Sequence, residues 1–147
     1  VTIALVQGGL TRIAIPKLGQ VKSVFIGLIF NAAGLLAFSL ASKGWMMYGI
    51  MIPFALGGLA GPALQGIISN QVGPNEQGTL QGSLTSLISL TSIIGPLLMT
   101  NLFSYFTSAN APIYFPGAPF LAGAFLALAG LLLSVNPLLR MDKIPKQ

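Results

Sequence analysis

Cysteine and histidine are absent from the 147 residues, and the only carboxylate side chains are Glu76 and Asp142. Without thiols or imidazoles there are no disulfides and no thiolate or imidazole metal centres. With two isolated acids there is no paired-carboxylate site either, and no base to activate a serine, so the chemistry of an enzyme has almost nothing to work with. We expect a non-enzyme with no cofactor and no metal. Charge of either sign is also scarce: 6% of residues are charged, against roughly 25% in an ordinary soluble domain. Hydrophobic residues make up 54%, and the mean hydropathy is +0.84. Nine charged side chains cannot cover a soluble domain of this length, so the apolar excess must face lipid tails or other helices.

Signal-peptide patterning is missing as well. The chain opens at Val1 inside an apolar stretch, which reads as a piece of a longer protein. Four apolar runs and part of a fifth follow one another: residues 1–10 (partial), 23–42, 44–68, 78–106 and 119–139. About 20 residues cross a hydrocarbon core of roughly 30 Å at 1.5 Å per residue. None of the runs contains a charge, and none shows the alternation of a membrane barrel strand. The expectation is an all-α membrane protein in which the four full runs span the bilayer. Between them lie short connectors: 41–44, 69–77 with the turn pair Gly73-Pro74, and 107–117 with Pro112, Pro116 and Gly117.

Positive charge gathers on alternate connectors. With residues 11–22 placed in the cytoplasm, the crossings put Arg12, Lys17, Lys22, Arg140, Lys143 and Lys146 inside and leave only Lys43 outside. Such an excess obeys the positive-inside rule and places the C-terminus in the cytoplasm. The formal net charge of +5 therefore carries no nucleic-acid signal, since the basic residues sit beside helix ends rather than along an aromatic-lined groove. Glu76, at the expected start of the 78–106 helix, suits the positive end of its dipole better than a proton site.

Inside the runs the remaining polarity is uncharged: Gln7, Asn31, Gln65, Gln81, Asn101 and scattered Ser and Thr. Amides in hydrocarbon are costly unless hydrogen-bonded, so each should face another helix or a wet path. Gln81, Thr85, Ser89 and Ser92 recur at helical spacing, which at about 100° per residue holds them within one stripe of roughly 80°. That stripe suits either close helix packing or the lining of an aqueous substrate route. Gly57 and Gly61 form a G-x-x-x-G spacing that permits close backbone approach. Pro53, Pro62 and the Gly95-Pro96 pair predict kinked or loosened helices. Trp45, Tyr48, Tyr114 and Phe115 suit an interfacial aromatic belt.

The run from Gly44 to Leu98, with PALQ at 62–65, QGSL at 81–84 and LTSIIGPL at 90–97, resembles the C-terminal half of the tetracycline-efflux branch of the major facilitator superfamily. The resemblance implies a twelve-helix drug/proton antiporter, of which this chain would hold the end of helix eight through helix twelve and lack the N-terminal half. Arg12, Lys17, Gly19 and Lys22 would then belong to a degenerate copy of the superfamily's cytoplasmic loop signature. Gly95 and Pro96 would echo the Gly-Pro motif of antiporters. By the same resemblance Gln7, Gln65, Gln81, Thr85 and Ser89 line the substrate path. Asn31 stands where carriers of that branch place an acid in helix nine, so the proton-carrying acid is expected elsewhere in the protein.

The function expected is export of an amphipathic drug, tetracycline-like or another antibiotic, by proton antiport with alternating access. The place expected is the bacterial inner membrane. The implied partners are drug, protons, membrane lipid and the missing half of the carrier. A metabolite or sugar carrier of the same superfamily, and a non-transporting membrane fragment, are the competing readings.

Overall fold

The computed structural model describes residues 11–109 and 111–142. Every regular element among them is helical: α1 (Thr11–Leu18), α2 (Gln20–Leu40), α3 (Gly44–Leu56), a 3-10 turn (Gly57–Leu59), α4 (Ala60–Ser69), a second 3-10 turn (Pro74–Glu76), α5 (Gln77–Thr107) and α6 (Ala118–Asp142). Four stretches are long and apolar enough to cross a membrane: Gln20–Leu40, Gly44–Ser69, Pro74–Thr107 and Ala118–Arg140. The all-α class expected from composition is the class observed.

Residues 11–22, read from the sequence as a connector, are instead mostly helical. α1 occupies Thr11–Leu18, and α2 starts at Gln20. Gly19 joins them at φ +83°, a left-handed conformation that costs glycine nothing and other residues much. Its N–H donates to the Ile15 carbonyl at 3.0 Å and closes α1. Its own carbonyl accepts from the Ser23 N–H at 3.1 Å and from Ser23 Oγ at 2.8 Å, opening α2. One residue therefore ends one helix and begins the next. Lys17 lies in the last turn of α1, where the helix dipole favours a cation.

α2 is the centre of the bundle and packs against α6, α3, the first 3-10 turn and α4. The core is built from small side chains: Val24, Ala32, Ala55, Ala63, Ala118 and Ala124 are buried, and Ser23 is fully enclosed. Small residues let backbones approach, which is how helices associate when lipid removes the ordinary hydrophobic drive. Near the α1 end, Val24, Ala63, Ile67 and Leu138 form one cluster. At the far end, Phe38 meets Phe54 edge-on at 5.5 Å and Phe120 at 5.8 Å.

Three contacts run along the seam between α2 and the broken helix opposite. A β-carbon at Gly27 would lie 2.5 Å from Ala60 N; one at Gly57 would lie 2.9 Å from Asn31 Cα; one at Gly34 would lie 3.1 Å from Phe54 Cα. Of the G-x-x-x-G pair seen in the sequence, only Gly57 sits in this seam. A β-carbon at Gly61 would meet nothing within 4 Å, because it falls beyond the point where the backbone tightens. That tightening, the 3-10 turn Gly57–Leu59, precedes Pro62, which has no N–H for the Gly58 carbonyl and whose ring crowds it. Around Gly95-Pro96, by contrast, α5 runs unbroken.

Candidate functional site

α4 and α5 form an antiparallel hairpin whose inner faces carry amides. Ser69 Oγ donates to Gln77 Oε1 at 2.8 Å, and Gln77 Nε2 donates back to the Ser69 carbonyl at 2.7 Å. This reciprocal pair satisfies a carbonyl that the end of α4 would otherwise leave orphaned. One helical turn deeper, Gln65 Nε2 donates to Gln81 Oε1 at 3.2 Å. The two rungs are four residues apart on each helix, as an antiparallel register requires. Another turn in, the β-carbon position of Gly61 is open. The seam is polar and closed at the connector end and open beyond it.

α5 has no buried residue and makes its main packing contact with α6. Its hydroxyls divide into two groups. Ser83, Ser86, Thr91 and Ser92 donate to carbonyls one turn back on their own helix, at 2.7 to 3.0 Å, the usual way for such groups to be satisfied without leaving the helix. Asn101 does the same through Nδ2 to the Leu97 carbonyl at 2.8 Å. Thr79, Thr85, Ser89, Thr100 and Ser104 make no side-chain hydrogen bond among the described residues. Thr85 and Ser89 continue the face begun by Gln81, three exposed polar residues at four-residue intervals. Ser92, the fourth member of the stripe by spacing, is closed on Ile88 instead.

Of the path residues nominated from sequence, the structure brings Gln65 and Gln81 into contact and sets Thr85 and Ser89 beside them on α5. Gln7 lies outside the described residues, as does the side chain of Arg12. Lys17 and Lys22 are exposed at the ends of α1 and α2, and Gly19 is the joint between those helices. Gly95 and Pro96 lie in mid-α5, with nothing within 4 Å of a β-carbon at Gly95. Glu76 is the N-cap residue of α5, at the positive end of the dipole. Asn31 is half-buried against Gly57.

Sequence reasoning missed Ser69 and Gln77. The available signal was an amide at the first position of one helix and a hydroxyl at the last position of the preceding one, with Gln65 and Gln81 repeating the match a turn deeper. Gln77→Leu removes both bonds of the clasp and leaves the Ser69 groups unpaired, at about 1–3 kcal/mol. The thermal midpoint of the detergent-solubilised protein should fall accordingly. Gln77→Glu, which keeps the acceptor and loses the donor, should fall between the two.

Comparison with known proteins adds the family. The family model of the Major Facilitator Superfamily matches residues 6–146. The chain is 41% identical over 125 residues to the class C tetracycline resistance protein of Escherichia coli, covering 85% of this chain and 30% of that protein. It is 42% identical over 137 residues to the class D tetracycline resistance protein of Salmonella ordonez, covering 93% and 32%. It is 28% identical over 143 residues to the human hippocampus abundant transcript-like protein 1, covering 88% and 28%. The chain thus spans about a third of the length of these relatives. No solved structure gives a significant match. Four membrane-length helices, close-packed through glycine and alanine, and a family match over nearly all of its length together make this chain a member of the Major Facilitator Superfamily.

Proposed function

We propose that the chain forms the helix-eight-to-twelve portion of a secondary active transporter that exports an amphipathic drug, tetracycline-like or another antibiotic, in exchange for protons. The observation that carries this reading is the face of Gln81, Thr85 and Ser89 with Gln65 beside it. It is a polar stripe on a membrane-length helix that no described helix covers. Unpaired hydroxyls at that depth call for water or a polar ligand opposite them. The named activity of the tetracycline resistance relatives supports the choice of cargo. In alternating access the bundle would rock as a unit against the rest of the carrier, exposing this face to each side in turn.

Protons need a titratable group, and the only Asp or Glu in the four membrane-length stretches is Glu76, which sits at the cap of α5 rather than in a helix interior. The coupling acid therefore belongs to the remainder of the carrier. Lys17, Lys22 and Arg140 stand at one end of the bundle and Lys43 at the other, which favours a cytoplasmic C-terminus in an inner membrane. Everted vesicles carrying the whole transporter should accumulate tetracycline when acid inside, and lose it when an ionophore collapses the proton gradient. Accumulation of a sugar or metabolite in place of drug would overturn the reading. The 147 residues alone should move nothing, since they supply only one wall of a cavity.

A further inference from the structure

At the end of the bundle opposite Lys17, Lys22 and Arg140, the α2–α3 hairpin and the segment preceding α6 form a half-open cavity of about 570 Å³. That lies within the roughly 300–1,000 Å³ of small-ligand sites. Its walls are Phe38, Met47, Phe103, Phe115, Pro116 and Phe120. Phe38 is braced by Phe54 and Phe120, so part of the wall is set before anything binds. Only Ser39 and Ser42 bring side-chain polarity, and Ser39 Oγ is already spent on the Leu36 carbonyl at 2.8 Å. Ser42 is thus the one lining side chain with an uncommitted polar group among the described residues, and the rest of the wall offers mostly hydrocarbon contact.

The rim has a different chemistry. Lys43 directly follows Ser42 of the lining, is exposed, and has no ion-pair partner among the described residues. It is the one basic residue at this end of the bundle among those described. Trp45 and Tyr48, just after Lys43, and Tyr114, next to Phe115 of the lining, are exposed, each by more than 70%. Such residues mark the headgroup level of a bilayer, and a lysine stem long enough to lie along apolar surface carries its ammonium to that level. An apolar hollow whose lining ends at Ser42, with an exposed cation as the next residue, is complementary to an amphiphile with a hydrocarbon chain and an anionic head.

We propose that this cavity holds one acyl chain of an anionic phospholipid whose phosphate pairs with Lys43. The proposal is independent of any transported cargo, and its test reads lipid rather than transport. The purified carrier, solubilised in mild detergent, is offered equal amounts of phosphatidylglycerol and phosphatidylcholine, and retained lipid is weighed by native mass spectrometry. One phosphatidylglycerol should be held in preference. Lys43→Gln should cut that preference about fivefold, the equivalent of ~1 kcal/mol for one basic residue at a membrane surface. Ser42→Phe, which sets a ring in the mouth, should lower retention of both lipids. Equal retention of the two by the unsubstituted carrier, or an unchanged preference in Lys43→Gln, would overturn the site. So would full retention in Ser42→Phe, which would place the lipid elsewhere. Absence of any retained lipid, with a drop in thermal midpoint for Ser42→Phe, would show that another segment of the carrier fills the hollow and would equally end the proposal.

Discussion

Gly27→Val should loosen the seam between α2 and the broken helix opposite it, lowering stability by about 3 kcal/mol, the upper end of ordinary overpacking costs. The new β-carbon would stand 2.5 Å from the Ala60 nitrogen and 3.0 Å from its Cα. Both are backbone atoms, so no rotamer change relieves the contact. Ala60 follows directly on the 3-10 turn, and the same seam carries Gly57 against Asn31 and Gly34 against Phe54. A displacement at one position is therefore transmitted to the other two. Thermal unfolding in detergent measures the effect. Gly61→Ala and Gly95→Ala serve as controls, because both β-carbons would enter open space. In a helix, alanine gains up to about 1 kcal/mol over glycine, so these two should be neutral or slightly stabilising. A Gly27→Val protein that melts with the unsubstituted one would remove the seam as described.

If the chain belongs to a drug exporter as proposed, Gln81→Leu should reduce export roughly fivefold, the equivalent of about 1 kcal/mol for the one hydrogen bond that joins Gln65 to α5. Initial uptake into vesicles, normalised to the amount of protein, gives the number. The double variant Gln65→Leu with Gln81→Leu separates the two readings that the polar stripe allows. If the rung serves only to join α4 to α5, removing both amides leaves no polar group stranded and export should recover. If the rung borders the drug path, the double variant should stay as low as the single one; we expect the second result. Thr85→Val should also reduce export, since its hydroxyl has no partner among the described residues. Ser92→Ala should not, because Ser92 Oγ is committed to the Ile88 carbonyl at 2.7 Å.

These expectations differ in how much of their basis was legible beforehand. The long helices were legible because a run of about 20 residues without charge has the length and composition of a membrane-crossing helix. Runs expected at 23–42 and 44–68 correspond to helical stretches at Gln20–Leu40 and Gly44–Ser69. Helix α1 was not legible: eight residues containing Pro16 carry too little periodicity to oppose the reading of a short basic connector. Among the glycines, sequence spacing pointed to Gly57 and Gly61, whereas the seam uses Gly27, Gly34 and Gly57. Spacing along one helix says which residues share a face, but a close approach depends also on the partner helix, and here Ala60 and Phe54 decide it.

The clasp of Ser69 and Gln77 shows the same division. Each residue could be seen as polar at a helix end, yet their pairing needs α4 and α5 to meet at the connector and part further in. Likewise Phe38, Met47, Phe103 and Phe120 are distant in sequence, and only the folded chain gathers them at one end of the bundle.

From the sequence alone follow the all-helical class, the apolar runs of membrane length, the distribution of cations and the family, because each depends on composition or on order along one chain. The tertiary structure alone decided which glycines bear contact, which hydroxyls are spent on their own helix, and where polar rungs and an aromatic hollow arise. Those outcomes depend on distances between helices, and such distances are set by the side chains of both partners together.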